Sequence, residues 1–418
     1  MKTRLTLPLC LAAAIIATGT RAADWPQYNG PQFDRKNAEP FTAGDWTSGG
    51  PKVVWKIDCE TGFSSFVTGD GKAYTLVRSG SRERLVAVDA ATGREKWHLD
   101  LGPAKYHGGG DSGARDNKGG DGPRSTPVFN GGGVFVYDAH MNLYAVAAAT
   151  GKLVWTQSIE EDFGGKEIQW QSAASPIVLG ERVIVPGGGE GQAFLAFDRK
   201  SGKLLWKSGT GTMTHATPTV ASIDGKQQVL FFMRRGVVAV DPENGEELWE
   251  YPFDFRTATA ISPVVHEDIV SVAAGYGIGG GACKVSKSGT RWKAKEIWRK
   301  KDSAVGNIWS TPVCVDGYMY GMFSAKKYGD GPLKCIDIRD GEVKWEEEGF
   351  GQGHVSLAGD KLLALTDAGE LVVVDPKPSG YQEVTRAKVV DGKCWSTPVF
   401  ANGHIFVRST TSGVCLKP

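Results

Sequence analysis

Apolar and polar residues alternate with a period of two through most of the chain, and glycine-bearing turns interrupt the alternation at short intervals. Successive side chains of a strand point to opposite faces, so the pattern predicts many short β-strands. One compound unit recurs: a Ser/Thr-Pro strand, a strand led by glycine, an alternating apolar strand ending in Asp, a turn of the Thr-Gly type, and then Trp. Its second half reads LVAVDAATGREKW at 85–97, LYAVAAATGKLVW at 143–155, FLAFDRKSGKLLW at 194–206, VVAVDPENGEELW at 237–249 and LKCIDIRDGEVKW at 333–345. Two copies are degenerate, CKVSKSGTRWKAKEIW at 283–298 and LVVVDPKPSGYQEV at 371–384, the second without its Trp.

Each part of the unit has a mechanical reason. Asp followed by Gly is hairpin chemistry, because Asp bonds the nearby backbone and Gly takes the left-handed conformation. A Trp after the turn is large enough to wedge between adjacent sheets while its indole N–H still finds an acceptor. Four strand signals per repeat, at intervals of about 40–60 residues, predict the blades of a propeller. Blade starts fall at Ser65, Thr126, Ser175, Thr217, Ser262, Thr311, Val355–Ser356 and Thr397. The expected fold is therefore all-β, a single eight-bladed β-propeller. The docking residues Trp97, Trp155, Trp206, Trp249, Trp298 and Trp345, with Val384 in the place of the absent Trp, supply only seven outer strands. The pattern around Trp55 (Val53-Val54-Trp55-Lys56) matches an outer strand and precedes the first blade, so the N-terminal strand is expected to complete the C-terminal blade. Such closure removes the free sheet edge that invites aggregation.

Composition adds the context. Within 418 residues, 41% are hydrophobic and 23% charged, enough for a large core. Residues 1–22 read as a signal peptide, with Lys2 and Arg4 as basic start, an apolar stretch from Leu5 to Ala17, and Thr20-Arg21-Ala22 before the cut. Cys10 follows Leu9, which is not small, so acylation is not expected. Residues 23–51 form an extended leader and 52–418 the propeller. Cleavage removes Lys2, Arg4 and Arg21 from 48 basic residues and leaves 45 against 47 acidic, a balance of −2. With no basic run, nucleic acid is not an expected partner. No later stretch is long and apolar enough for a transmembrane helix, and a periplasmic or secreted monomer is expected. Six cysteines remain, Cys59, Cys283, Cys314, Cys335, Cys394 and Cys415. Export permits disulfides among them without specifying the pairing.

The run from Ala87 to Trp97, of the form A-x-D-x-x-T-G-x-x-x-W, resembles the tryptophan-docking repeat of quinoprotein propellers. That superfamily includes PQQ-dependent alcohol dehydrogenases and the outer-membrane assembly lipoprotein BamB. The leader, Asp24-Trp25-Pro26-Gln27-Tyr28-Asn29-Gly30-Pro31, resembles the opening of secreted PQQ-like repeat proteins. The resemblance implies fold more than activity, because one fold hosts many functions. Quinoprotein dehydrogenases combine adjacent cysteines, a Trp floor and a calcium ion with the quinone. This chain has no Cys-Cys pair, so no cofactor is expected, with PQQ and calcium as the alternative.

Residues just before the blade starts should crowd at the mouth of the central channel: Arg124, Trp170, Gln171, His215, Trp309, His354 and Trp395. They are candidates for binding; catalytic and metal-ligating residues are not assigned. The glycine- and acid-rich loop from Pro103 to Pro123 is a calcium candidate without the usual spacing. The match to G-x-G-x-x-G at 275–280 leads into a strand-like segment, not the helix a dinucleotide needs. Arg234-Arg235 reads as a solvated turn with some capacity for anions. Three functional readings stand: a non-catalytic exported scaffold for envelope proteins or peptides, a PQQ/calcium dehydrogenase, and a glycan or small-molecule binder at the channel mouth. The intact repeat and missing catalytic signature favour the first.

Overall fold

The structure, a computed structural model, describes residues 23–46, 49–105, 122–301, 303–323 and 331–418. The expected signal peptide and most of the calcium-candidate loop lie outside the described residues. Eight sheets form an eight-bladed propeller, as the repeats predict. Blade 1 is Val67–Gly69, Lys72–Ser79, Arg82–Asp89 and Glu95–Pro103, each strand antiparallel to the next. Blades 2 to 7 repeat this meander. Blade 8 takes three strands from the chain's end (Val399–Ala401, His404–Arg408, Ser412–Lys417), and its outer strand is Lys52–Asp58. Lys52 pairs with Lys417 and Asp58 with Ser412, which closes the ring.

Apolar clusters join every pair of neighbouring blades, so the core is itself a ring. Blades 8 and 1 share Trp55, Phe66, Val88 and Phe406. Blades 1 and 2 share Leu76, Leu85 and Val134, and one cluster runs through blades 2, 3 and 4. The remaining contacts follow in order round to blades 7 and 8.

The indoles tie each blade to the next. The Nε1–H of Trp55 donates to Ala90 O at 2.9 Å, Trp97 to Ala148 O at 2.9 Å, Trp155 to Arg199 O at 3.1 Å and Trp206 to Pro242 O at 3.0 Å. Trp298 and Trp345 bond Ile338 O and Lys377 O in the same way, both at 2.8 Å. Trp249 differs. The next blade is the degenerate fifth copy, without an Asp-x-x-Thr-Gly turn, and the Trp249 indole bonds Gln228 Oε1 in its own blade instead.

Every outer strand carries a bulge one residue before its docking position. The bulge turns the docking side chain toward the next blade and leaves the preceding residue outside the ladder. This accounts for the exposed apolar residues Val154, Leu205 and Ile297. It also corrects the seventh outer strand. Glu383 pairs with Val374 and Thr385 with Val373, so Thr385 holds the docking position and Val384 is the exposed bulge residue. A side-chain period alone cannot reveal the extra residue.

The Ser/Thr-Pro starts form a hydroxyl belt around the axis. Backbone N–H groups donate from Ser65 to Thr126 Oγ1, Thr126 to Ser175 Oγ and Ser175 to Thr217 Oγ1, at 2.8–3.0 Å. Ser262 continues the series to Thr311, and Thr397 donates to Ser65 Oγ at 2.8 Å, across the closure. Arg408 reinforces that seam. Its guanidinium, wholly buried in blade 8, bonds Thr75 Oγ1 and Leu76 O of blade 1 and the carbonyls of Glu60 and Gly62.

The docking contact predicts an asymmetry between two turn glycines. Gly202 (φ +71°) lies under Trp155, and a Cβ there would meet the indole at 2.6 Å; Gly180 (φ +59°) has open space. Gly180→Ala should cost roughly 1 kcal/mol for the left-handed backbone. Gly202→Ala should cost roughly 1–3 kcal/mol more, because the clash pushes the indole off its seat. Urea midpoints of the two variants check this, and equal losses would contradict it.

Candidate functional site

The inner strand of each blade begins at one face of the ring, and the residues leading into these strands surround a cup on the axis. The leader crosses the inner strands away from that mouth. Trp25 and Thr68 of blade 1 exchange backbone and hydroxyl bonds, Pro26 O accepts from Phe129 N–H, and Asn29 Nδ2 donates to Ser262 Oγ at 3.0 Å. Lys36–Asn37 adds a fifth, parallel strand to His354–Ala358 of blade 7. Arg35, 1% exposed, anchors this crossing through Val355 O at 2.9 Å and Thr397 Oγ1 at 2.7 Å, with its guanidinium 5.0 Å from the Tyr28 ring centroid. The leader therefore seals one end of the channel and presents Tyr28 to the cup.

The cup holds about 120 Å³ and is lined by Tyr28, Phe63, Arg124, Trp170, His215, Tyr276, Ile308, Trp309, His354 and Trp395, with Thr217, Thr259 and three alanines between them. Six of the seven residues expected at the mouth are thus brought together. Gln171 is not among the lining residues; it is buried, with Nε2 3.4 Å from Glu167 Oε2. Trp170 and Gln171 both have left-handed backbone, φ +66° and +56°. Such strain persists only where the surroundings impose it. Arg124 Nη1 contributes by donating to Trp170 O at 2.8 Å.

Aromatic rings form one wall. Trp309 and Trp395 lie 4.5 Å apart by centroid, Phe63 stacks on Trp395 at 5.0 Å, and Lys393 Nζ sits 4.4 Å from the Trp395 centroid. Phe63 was legible in principle, because it precedes Ser64-Ser65 as the other lining residues precede their blade starts. Tyr28 and Tyr276 were not, since only the folded chain brings them to the axis. Tyr276 belongs to the G-x-G-x-x-G match, whose last residues already lie in the strand Gly279–Ser288, so the match is a strand-to-strand loop. A Cβ on Gly275 would meet Ile308 Cγ1 at 2.2 Å. Glycine there lets the loop lie against the cup.

Arg124 is the one formally charged side chain among the described lining residues. No Asp or Glu is among the described lining residues. Burial, then the charge of Arg124, lowers the His215 pKa to about 4, and burial with Arg35 lowers that of His354 to about 3. Both imidazoles are neutral at neutral pH. Elsewhere, Arg235 is ion-paired with Glu247 and Glu250, so the Arg-Arg pair is not a free anion site. The six cysteines from Cys59 to Cys415 are all buried free thiols.

Residues 81–346 and 329–416 match the family described as outer membrane protein assembly factor BamB. The chain belongs to the BamB family. A BamB from Yersinia pestis is 23% identical over 291 residues, 67% of this chain and 70% of that one. The dehydrogenase subunit of an alcohol dehydrogenase (quinone) from Gluconacetobacter polyoxogenes is 28% identical over 219 residues, half of this chain but only 28% of that subunit. Among solved structures, a europium-containing methanol dehydrogenase aligns with a TM-score of 0.68 at 12% identity, covering 94% of this chain and 91% of the other. BamB from Moraxella catarrhalis aligns at 0.60 and 15% identity, covering 88% and 97%. These likenesses establish the shared propeller.

The dehydrogenase relatives raise the question of a calcium-held quinone. Calcium takes carboxylate, amide and carbonyl oxygens, whereas the side-chain oxygens of the described lining are hydroxyls of Thr217, Thr259, Tyr28 and Tyr276. Among the described residues no three His, Cys, Asp or Glu are grouped to hold a metal. The described lining residues do not supply that donor set.

The buried histidines fix a pH dependence. In the unfolded chain each protonates near 6.5, while the fold keeps them neutral to about 4 and about 3. Between these values the unfolded state binds more protons, so stability falls as pH drops from 6.5 toward 4. Urea midpoints across that window should fall more steeply for the wild type than for the double variant His215→Gln/His354→Gln; parallel curves would contradict the assignment.

Proposed function

We propose that this chain is a non-catalytic propeller scaffold of the cell envelope that binds protein or peptide partners at the mouth of its channel. The observation that carries this reading is the cup itself: aromatic, blind, and without a lining carboxylate to act as base among the described residues. Aromatic anchors in a well-formed hollow are the groups that supply most binding energy at interfaces. Membership of the BamB family supports the scaffold. Export rests on the character of residues 1–22. Among the described residues no helix is long and apolar enough to cross a membrane.

The quinone dehydrogenase relatives favour a second reading, alcohol oxidation with PQQ and calcium. The donor set of the cup argues against it.

Two measurements separate the readings. A photo-crosslinking residue in place of Tyr276 should give adducts with discrete envelope polypeptides, and the same residue in place of Val154 on the outer rim should not. Trp309→Ala with Trp395→Ala should reduce the Tyr276 adducts by about tenfold or more. Purified protein given PQQ and calcium should show no dye-coupled alcohol oxidation. Turnover there, or equal crosslinking at both positions, would overturn the proposal.

A further inference from the structure

The fifth blade departs from its neighbours at the end of the ring opposite the cup. Its third and fourth strands are Gly279–Ser288 and Arg291–Lys300. The third leads away from Tyr276, which lines the cup, so the turn between the two lies at the far face. In blade 4 the third strand stays paired one residue past Ala239, the partner of Trp249; in blade 5 it stays paired six residues past Ala282, the partner of Trp298. The extra length carries the hairpin about 17 Å further out, at ~3.3 Å per residue. Its root is braced on blade 4. Tyr251 OH donates to Glu296 Oε2 at 2.8 Å, and the Arg299 guanidinium lies 4.1 Å from the Phe253 centroid.

This finger is strongly basic in a chain that is otherwise close to neutral. Residues 283–301 hold eight Lys or Arg and one acid, Glu296. The sequence spreads the cations out, and strand pairing gathers them. Lys284 lies directly opposite Lys295, Ser286 opposite Lys293 and Ser288 opposite Arg291, so four exposed cations share one face. On the other face Lys287 lies opposite the half-buried Trp292, with Nζ 5.0 Å from the indole centroid. Lys284 pairs with Asp268 at 3.2 Å, whereas Lys287, Arg291, Lys293 and Lys295 have no ion pair among the described residues. Like charges directly opposite each other destabilise a strand pair. Lysine on an outermost strand guards against pairing with another chain, but Lys284 and Lys287 belong to the strand behind it, where that guard has no use.

We propose that the blade 5 finger docks the propeller on an anionic lipid surface, tip first, with Trp292 at the level of the headgroups. A layer of negative headgroups meets both faces of a projecting hairpin at once. An acidic peptide laid along the edge strand meets only the row of Arg291, Lys293 and Lys295. Trp beside Lys is suited to the membrane–water boundary, where the ring finds an apolar side and the ammonium stays hydrated. The finger is longer than the Debye length of about 8 Å, so its tip is screened from the acidic groups of the ring. The inference concerns the face opposite the cup and is independent of what the cup binds.

The test is co-sedimentation of the protein, purified after export, with vesicles of phosphatidylcholine alone or with about one third phosphatidylglycerol. Partitioning should be about tenfold or more stronger to the anionic vesicles and should fall steeply as salt is raised. Lys284→Gln/Lys293→Gln/Lys295→Gln should weaken it by about tenfold or more. Lys200→Gln/Lys203→Gln/Lys207→Gln removes the same charge from exposed positions of blade 3 and should change it by less than about twofold. Because the two vesicle types are compared on the wild type, the test survives a variant that fails to fold. Equal partitioning to both vesicle types overturns the proposal, and so does an equal loss from the two triple variants. Protein that binds oligoglutamate but not the anionic vesicles assigns the finger to an acidic polypeptide and overturns the lipid surface. None of these outcomes alters the reading of the cup, which stands or falls on the Tyr276 crosslinks.

Discussion

The pairing of Lys52–Asp58 with Ser412–Lys417 is the constraint on which the rest of the molecule depends. Blades contact mainly their neighbours, so a ring with one open joint would expose two blade faces and let the inner strands drift apart. The joint here is held on three levels. At the rim the two strands pair and Trp55 docks on Ala90. Between the blades Arg408 gathers carbonyls from the first blade and the segment leading into it. At the axis the Thr397-to-Ser65 bond carries the hydroxyl series across the closure. A buried guanidinium serves here as a multiple donor to carbonyls, with five directed N–H groups that one ammonium could not supply.

The architecture was largely readable from residues because repetition amplifies weak local signals. One Asp-x-x-Thr-Gly turn followed by Trp means little; the same spacing in copy after copy means blades, and a surplus outer strand before the first copy means closure. Reading failed where geometry is not periodic. The bulge shifted the docking position from Val384 to Thr385, and the degenerate turn of blade 5 left Trp249 to bond within its own blade. Neither follows from hydropathy. Six mouth residues were legible because their spacing from the Ser/Thr-Pro starts is fixed, whereas Gln171, next to Trp170 in sequence, turns away into the packing. The leader could be recognised as a motif, but its role as the closed end of the cup required the fold. Trp25, Asn29 and Arg35 bind blades that lie far away in the chain.

The candidate site is a consequence of that closure. A sealed ring positions the loops before the blade starts, the leader stops one end, and what is left is a small aromatic hollow with Arg124 in its lining. Its two histidines are neutral because burial and the nearby guanidiniums disfavour a further positive charge. The hollow therefore has little to offer as an acid–base centre near neutral pH. The BamB structure and the quinone dehydrogenase-type structure share the propeller ring with this chain, and a shared fold does not carry a shared function.

Native-state hydrogen exchange bears most directly on the closure. If the ring closes as described, amides of residues 52–58 and 412–417 exchange with one common opening free energy, close to that of the inner strands, because releasing either strand opens the joint. Fast exchange of residues 52–58 beside a protected 412–417 would show that the last blade does not depend on the N-terminal strand, and would contradict the closure from which the cup is built.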